Sequence, residues 1–319
     1  MKSVLCDMFG IQYPIIQGGM QWLASPEFAA AVSNTGALGT LNSSLYLSKD
    51  ELVEGIRKVR SLTNNSFAVN ISMLPIQQAG ELVPDFMEAV IQEKVSVVEL
   101  AGRDPKEFVP ALKAAGIRII HKSTAVRFAK KAEAAGVDAV SIVGFECAGH
   151  PGMEDVTTLA LIPRVVEELG VPVIAGGGIC DSRSYVAARA LGAAGVVMGT
   201  RFVASKECII HPNFKELLVE ADERSTAIVQ RSIRNAARNY KNDACKELIA
   251  LEQGGTPTLQ EVLAIVNGKR QKAAYFSGDV NGGAFPVGQC VGQIHEILSV
   301  QEIVDEIVNN SKVILSELS

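Results

Sequence analysis

The chain has 319 residues, of which 48% are hydrophobic, 20% charged and only 5% aromatic, so it can fill one large aliphatic core or two ordinary ones, and disorder and collagen-like repetition are excluded. Thirty basic residues face 35 acidic ones for a net charge of −5 without any long run of one sign, which argues against a nucleic-acid groove. The six cysteines (Cys6, Cys147, Cys180, Cys208, Cys245, Cys290) form no Cys-x-x-Cys pair, no signal-peptide stretch opens the chain and no apolar run is long enough for a membrane span, which points to reduced thiols, no metal ribbon, no membrane insertion and a cytoplasmic protein.

In chain order, short apolar runs of strand length fall at Ile15-Ile16, Leu38 to Leu41, Phe67 to Ile71, Val97 to Leu100, Arg118 to Ile120, Ala139 to Ile142, Val173 to Ala175 and Val196 to Met198. Segments with helical spacing lie between them: Pro26 to Asn34, Leu52 to Leu62, Glu107 to Ala115, Ala125 to Ala135, Leu159 to Leu169 and Ser184 to Leu191. Gly36, Gly116, Gly136 and Gly192 each follow a helical run just before a strand, where the left-handed conformation that ends a helix costs least without a Cβ. Strands lacking polar alternation, joined by helices, imply a parallel sheet covered by helices. Eight such units predict an α/β fold of the TIM (β/α)8 barrel type. A doubly wound open sheet is the alternative, but no Gly-x-Gly-x-x-Gly follows the first strand and no Walker loop occurs.

After Phe202 the rhythm stops. Asn213 to Ala221, Ser225 to Tyr240, Ala244 to Glu252 and Leu259 to Val266 read as helices without a strand series, and Val300 to Leu315 as a closing helix. The expected organisation is a barrel over 1–204 and 293–319 with a helical lid or substrate subdomain over 205–292.

Barrel active sites sit at the C-terminal ends of the strands, and the loops after strands 7 and 8 commonly cradle phosphate. Here those loops are Gly176-Gly177-Gly178-Ile179 and Gly199-Thr200-Arg201; bare backbone N–H groups, a following helix and the Thr200 hydroxyl suit a phosphate, and tight strand-to-helix turns are the plainer explanation. The first strand ends in Gln17-Gly18-Gly19-Met20-Gln21-Trp22, where a flat apolar ring could lie or where Met20 and Trp22 pack under the lid. Asn70 ends strand 3 and could bond a heterocycle edge or cap a turn. Lys122, at the end of strand 5, is either solvated or aimed at developing negative charge; His121 beside it alternates, so one of the two reaches a ligand. His150, held between Gly149 and Pro151, is presented by backbone and suits hydrogen bonding or proton exchange. Cys147 near His150 lacks a third ligand for a metal. Arg231, Arg234 and Arg238 are spaced to share a helical face, which meets either an anionic cofactor or acidic neighbours. His295 has no companions and reads as structural.

The strings Gln17-Gly-Gly-Met-Gln-Trp22, Ala68-Val-Asn-Ile71, Ala175-Gly-Gly-Gly-Ile179 and Met198-Gly-Thr-Arg-Phe202 resemble the FMN-dependent nitronate monooxygenase-like (2-nitropropane dioxygenase) barrels, a group that includes flavin-type enoyl-acyl carrier protein reductases. His121-Lys-Ser-Thr-Ala-Val-Arg127, Gly144-Phe-Glu-Cys-Ala-Gly-His-Pro-Gly152 and Arg231-Ser-Ile-Arg-Asn-Ala-Ala-Arg238 look most like its bacterial NADH:quinone reductases. The resemblance implies an FMN phosphate at Gly176, Gly177, Gly178, Gly199 and Thr200, and a flavin ring against Gly19, Met20, Gln21, Ser72, Lys122, Ala148 and Gly149 with Asn70 nearby. It further implies His150 facing the substrate, Trp22 beside the acceptor slot and Pro75 on a loop at the nicotinamide side. Met153 departs from the acid that quinone-reductase relatives often carry. The implied reaction is ping-pong: NADH or NADPH reduces FMN, then a quinone takes two electrons, with Lys122 stabilising the reduced flavin and His150 orienting or protonating the acceptor. A nitronate monooxygenase, a flavin-type enoyl reductase and a non-catalytic flavin-binding module are the alternatives; a homodimer is compatible with the sequence.

Overall fold

The computed structural model describes residues 3–73 and 82–318. Eight parallel strands, β1 (Ile15–Gln17), β2 (Gly39–Asn42), β3 (Phe67–Ser72), β4 (Val97–Ala101), β5 (Arg118–Ser123), β6 (Ala139–Val143), β7 (Val173–Gly176) and β8 (Gly195–Met198), pair in the order β1-β8-β7-β6-β5-β4-β3-β2. A parallel bridge between Ile16 and Leu38 closes the ring, with Gln17 N–H donating to Leu38 O at 2.9 Å. The fold is a TIM (β/α)8 barrel, as the alternation predicts.

The helices are α1 (Val4–Phe9), α2 (Pro26–Asn34), α3 (Lys49–Leu62), α4 (Val83–Gln92), α5 (Val109–Ala114), α6 (Val126–Ala135), α7 (Thr158–Glu168), α8 (Ser182–Ala190), α9 (Thr200–Val203), α10 (Pro212–Glu220), α11 (Asp243–Gln253), α12 (Leu259–Val266), α13 (Gly268–Ser277) and α14 (Val300–Glu317). Local chemistry sets their ends. Ser25 caps α2 with Pro26 at its first position, and Asp181 with Ser184 forms a capping box on α8, satisfying N–H groups that a helix start leaves unpaired. Gly36, Gly116, Gly136 and Gly192 all carry φ between +75° and +98°, which is the helix-ending conformation expected of them. Helices α1, α4, α9 and α13 were not expected; α1 is too short to show periodicity, and its Leu5 and Phe9 plug the N-terminal end of the barrel.

One inward side chain per strand builds the barrel's inner layer: Ile16, Leu38, Ala68, Val97, Ile120, Ala139, Ile174 and Val197. Because strand side chains alternate, the next inward layer lies two residues further on. It reads Gly18, Thr40, Asn70, Glu99, Lys122, Ser141, Gly176 and Gly199. Three neighbouring strands (β1, β8, β7) thus present glycine, and the other five present polar side chains.

The segment after β8 corrects one expectation. Ser225 to Tyr240 is not a helix: β9 (Thr226–Val229) pairs antiparallel with β10 (Ala237–Tyr240). Arg231, Arg234 and Arg238 therefore share no helical face; Arg231 and Arg234 lie in the connection and Arg238 in β10. The β-branched Thr226, Ile228 and Val229 and the hairpin's packing on the α11 to α12 cluster through Val229, Leu248 and Val262 decide the outcome. Helix α10 is found over Pro212–Glu220, α11 over Asp243–Gln253 and α12 over Leu259–Val266, close to their expected bounds.

Candidate active site

At the polar half of the mouth, side chains are linked in series. Asn42 Nδ2 donates to Asn70 Oδ1 at 2.9 Å, and Asn70 Nδ2 donates to Glu99 Oε2 at 2.7 Å. The Gly19 N–H also donates to the Glu99 carboxylate. Asn70 packs so closely on the Gly19 backbone that a Cβ there would lie 2.2 Å from Asn70 Cγ. Asn70 is thus committed to protein partners on both ends of its amide, and Gly19 is glycine because the Asn70 amide occupies its side-chain space.

Glu99 is only 4% exposed. Burial raises its carboxyl above the ordinary carboxylate range, against the opposing pull of the Lys122 ammonium and the bonds from Asn70 and Gly19. The sequence reading missed it, because a single acid in Val97-Val98-Glu99-Leu100 looks like a strand interruption. Its signal was register: Glu99 shares the inward parity of Asn70 and Lys122.

Lys122 is half-buried and faces this layer, and it makes no hydrogen bond or ion pair with the other described residues. His121 takes the opposite face, as alternation requires. It is buried behind the sheet, with Nδ1 3.0 Å from Ser123 Oγ and Nε2 3.1 Å from the Arg103 carbonyl. Burial holds its imidazole below the ordinary value.

The loop after β6 carries His150. Gly144 has no room for a side chain, since a Cβ would fall 2.2 Å from Thr158 Oγ1. Glu146 caps α7, accepting from Thr158 N–H at 2.9 Å and Thr158 Oγ1 at 3.0 Å. Gly149 adopts φ +67°. The His150 side chain opens to solvent but stands within the concave mouth, where loss of bulk water, and then the Lys122 charge, push its imidazole down to about 4. It is neutral at neutral pH, able to donate from one ring nitrogen and accept at the other. Cys147 beside it is buried, which pushes its thiol up to about 11 and leaves it protonated.

The glycine half offers bare backbone. Gly177 and Gly178 adopt φ +92° and +74°, and a Cβ on Gly199 would meet nothing within 4 Å. Thr200 Oγ1 accepts from Gly288 N–H at 3.0 Å, tying the chain that returns from the outer segment to the β8 loop. Met20 and Ala148 are half-buried, Gln21 is exposed and Ser72 is half-buried at the end of β3. Trp22 adopts φ +66°, its buried Nε1 has no hydrogen-bond partner among the described residues, and Lys272 of α13 stands 4.8 Å from its ring centre. Pro75 lies outside the described residues. Of the expected residues, Gly19, Asn70 and Lys122 meet around Glu99, while Gly176 to Gly178 and Gly199 share neighbouring strands.

These features fit FMN. The side-chain space at Gly199 is open, Gly177 and Gly178 are left-handed, and an ammonium without an ion pair among the described residues faces the same mouth. Gly176 to Gly178, Gly199 and Thr200 suit its phosphate, and Gly19, Lys122 and Ala148 suit its ring.

The sequence profile of the nitronate monooxygenase family matches residues 2–310. A (3aS,4S,5R,7aS)-5-hydroxy-7a-methyl-1-oxo-octahydro-1H-indene-4-carboxyl-CoA dehydrogenase of Rhodococcus jostii is 30% identical over 97% of this chain and 95% of its own. A probable nitronate monooxygenase of Staphylococcus aureus is 31% identical over 79% of this chain and 81% of its own. Among solved structures, FabK of Thermotoga maritima is 35% identical with a TM-score of 0.91, covering 100% of this chain and 98% of that one. The nitroalkane oxidase of Streptomyces ansochromogenes is 25% identical with a TM-score of 0.84, covering 99% of this chain and 100% of that one. With a barrel whose mouth joins open glycine loops to a buried carboxylate, an ammonium and a neutral imidazole, this oxidoreductase belongs to the nitronate monooxygenase family.

Proposed function

We propose that the chain is an FMN-dependent NAD(P)H:quinone reductase. The observation that carries the reading is the meeting of a neutral imidazole, His150, and the Lys122 ammonium at a mouth whose other half is bare glycine backbone. When bound, FMN supplies a two-electron carrier between the nicotinamide and the acceptor.

The residues then divide the work. Gly176, Gly177, Gly178, Gly199 and Thr200 hold the phosphate through backbone N–H groups and a hydroxyl. Lys122 supplies positive charge where negative charge develops on reduction. His150, uncharged in the working range, orients the acceptor oxygen by a hydrogen bond and relays a proton to it, taking one from solvent at its other ring nitrogen as it gives one up. Gly19, Met20, Gln21, Ser72, Ala148 and Gly149 line the ring, and Asn70 fixes the polar side of the slot through Glu99. Trp22 and the 205–292 segment cover an apolar acceptor and exclude water.

A second reading has an acyl thioester as the redox partner. It is favoured by relatives from Rhodococcus jostii and Mycobacterium tuberculosis that are named carboxyl-CoA dehydrogenases and match 97% of this chain.

One experiment separates the readings. Absorbance of the purified protein is followed before and after anaerobic NADH, and the bleached sample is divided among benzoquinone, an enoyl thioester and air with a nitronate. Bleaching followed by fast reoxidation with benzoquinone is expected. Reoxidation by the thioester alone selects the second reading; nitronate turnover without any bleaching by nicotinamide selects monooxygenase chemistry and overturns the proposal.

A further inference from the structure

Glu99 has no part in the function proposed above beyond fixing Asn70, yet its position is unfavourable for the fold alone. It stands in the layer directly above the aliphatic interior of the barrel and is 4% exposed. A carboxylate there loses its hydration, and a well-packed apolar residue would serve stability as well or better. What it gains is specific: a 2.7 Å bond from Asn70, itself held at 2.9 Å by Asn42, and the Gly19 N–H. Asn70 and Gly19 therefore hold this carboxylate, and Asn42 holds Asn70.

Its electrostatic partner is Lys122. In the sheet register Glu99 lies beside Ile120, and Lys122 lies two residues further along the adjacent strand. Both side chains point inward, and the Lys122 charge acts on the Glu99 carboxyl. The two do not touch, since no ion pair within 4 Å joins Lys122 to any described residue. The ammonium thus stays free to face a ligand while its charge is compensated from within the wall.

We propose that Glu99 is the fixed counter-charge of Lys122, a positioning residue that sets the net charge at the barrel mouth. The chain Asn42, Asn70, Glu99 anchors the negative charge, and Lys122 presents the positive charge above it. If FMN is the bound group, the Glu99 carboxylate opposes accumulation of negative charge on it, so this residue sets how far Lys122 favours the reduced form.

The test uses the full chain in two arms, only one of which rests on the flavin reading. Glu99→Gln keeps the shape and an acceptor for Asn70 and removes only the charge. In cofactor-free protein, Lys122→Met is expected to move the pH at which the buried carboxyl gains its protonated stretch in the infrared upward, and loss of that band in Glu99→Gln assigns it to Glu99. In FMN-loaded protein, Glu99→Gln is expected to shift the flavin midpoint potential upward and Lys122→Met to shift it downward. An unchanged carboxyl titration in Lys122→Met overturns the pairing whether or not FMN binds. Absence of FMN binding in the parent overturns the flavin reading and leaves the first arm to decide this proposal.

Discussion

Gly149 and Arg238 exchange two backbone hydrogen bonds, Gly149 N–H to Arg238 O at 3.1 Å and Arg238 N–H to Gly149 O at 2.6 Å, which docks the outer hairpin directly on the residue before His150. The Arg238 side chain repeats the clamp. Its Nη2 and Nε donate to Phe145 O at 3.0 and 3.2 Å, its Nη1 donates to Thr226 Oγ1 at 3.1 Å, and its guanidinium lies 4.5 Å from the Phe145 ring centre. Arg231 adds an ion pair with Asp155 at 2.5 Å.

Arg238→Ala therefore releases the Phe145 end of the His150 loop and leaves the backbone exchange with Gly149 in place. With the residue buried, the loss of its charge-assisted bonds is expected to cost about 2–3 kcal/mol, read as a lower midpoint in urea. Turnover should fall about tenfold or more as His150 loses its register, and Arg231→Ala, at a more exposed pair, should cost under about 1 kcal/mol. Equal effects of the two substitutions would contradict the clamp.

His150→Ala should lower acceptor turnover about 10² to 10⁴-fold, the usual range for a proton-transfer group, with FMN affinity unchanged. Stopped-flow traces should localise the loss in the reoxidation half-reaction, and equal losses in both halves would count against an acceptor role.

The depressed imidazole has a consequence for stability. The folded value of about 4 lies below the ordinary 6.5, so the unfolded chain binds this proton first as pH falls. The contribution is fully present above pH 6.5, declines as pH drops from 6.5 to about 4 and changes no further below that. His150→Gln should flatten the pH dependence of unfolding free energy across that window, measured by denaturant titration at several pH values.

The glycine loops separate a conformational from a steric demand. Gly199 has φ −114° and open space at its side-chain position, so Gly199→Ala should leave the stability of the cofactor-free protein unchanged while weakening FMN binding about 10- to 100-fold, the worth of one or two phosphate hydrogen bonds. Gly177→Ala should destabilise even the cofactor-free protein by about 1–2 kcal/mol, because φ is +92° there. Calorimetry of cofactor-free protein and FMN fluorescence titration distinguish the two.

Gly19→Ala tests the polar series. Its Cβ would fall 2.2 Å from Asn70 Cγ, forcing Asn70 away from Glu99 at an expected cost of about 1–3 kcal/mol. Asn70→Ala in the same background should recover most of that loss; additive losses would show that Gly19 matters for another reason.

Much of this was legible in the residues themselves. The eight strands, most of the covering helices and the four helix-ending glycines follow from hydrophobic period and from backbone sterics, which act over a few neighbouring residues. Glu99 was not legible, because its partners lie 29 and 80 positions away on Asn70 and Gly19, and only strand register brings them together. The hairpin of β9 and β10 was misread for a related reason: arginines at 231, 234 and 238 match a helical stripe, while the pairing that makes Thr226–Val229 a strand exists only once Ala237–Tyr240 lies beside it.

The sequence alone therefore determined the barrel, the glycine loops at the ends of β7 and β8, and the candidacy of Lys122 and His150, since each depends on local period, turn chemistry or residue type. The tertiary structure decided that the layer at the mouth is half bare and half polar, that Glu99 stands behind Lys122, and that Arg238 holds the His150 loop. Those are long-range arrangements, fixed by closure of the ring and by docking of the hairpin.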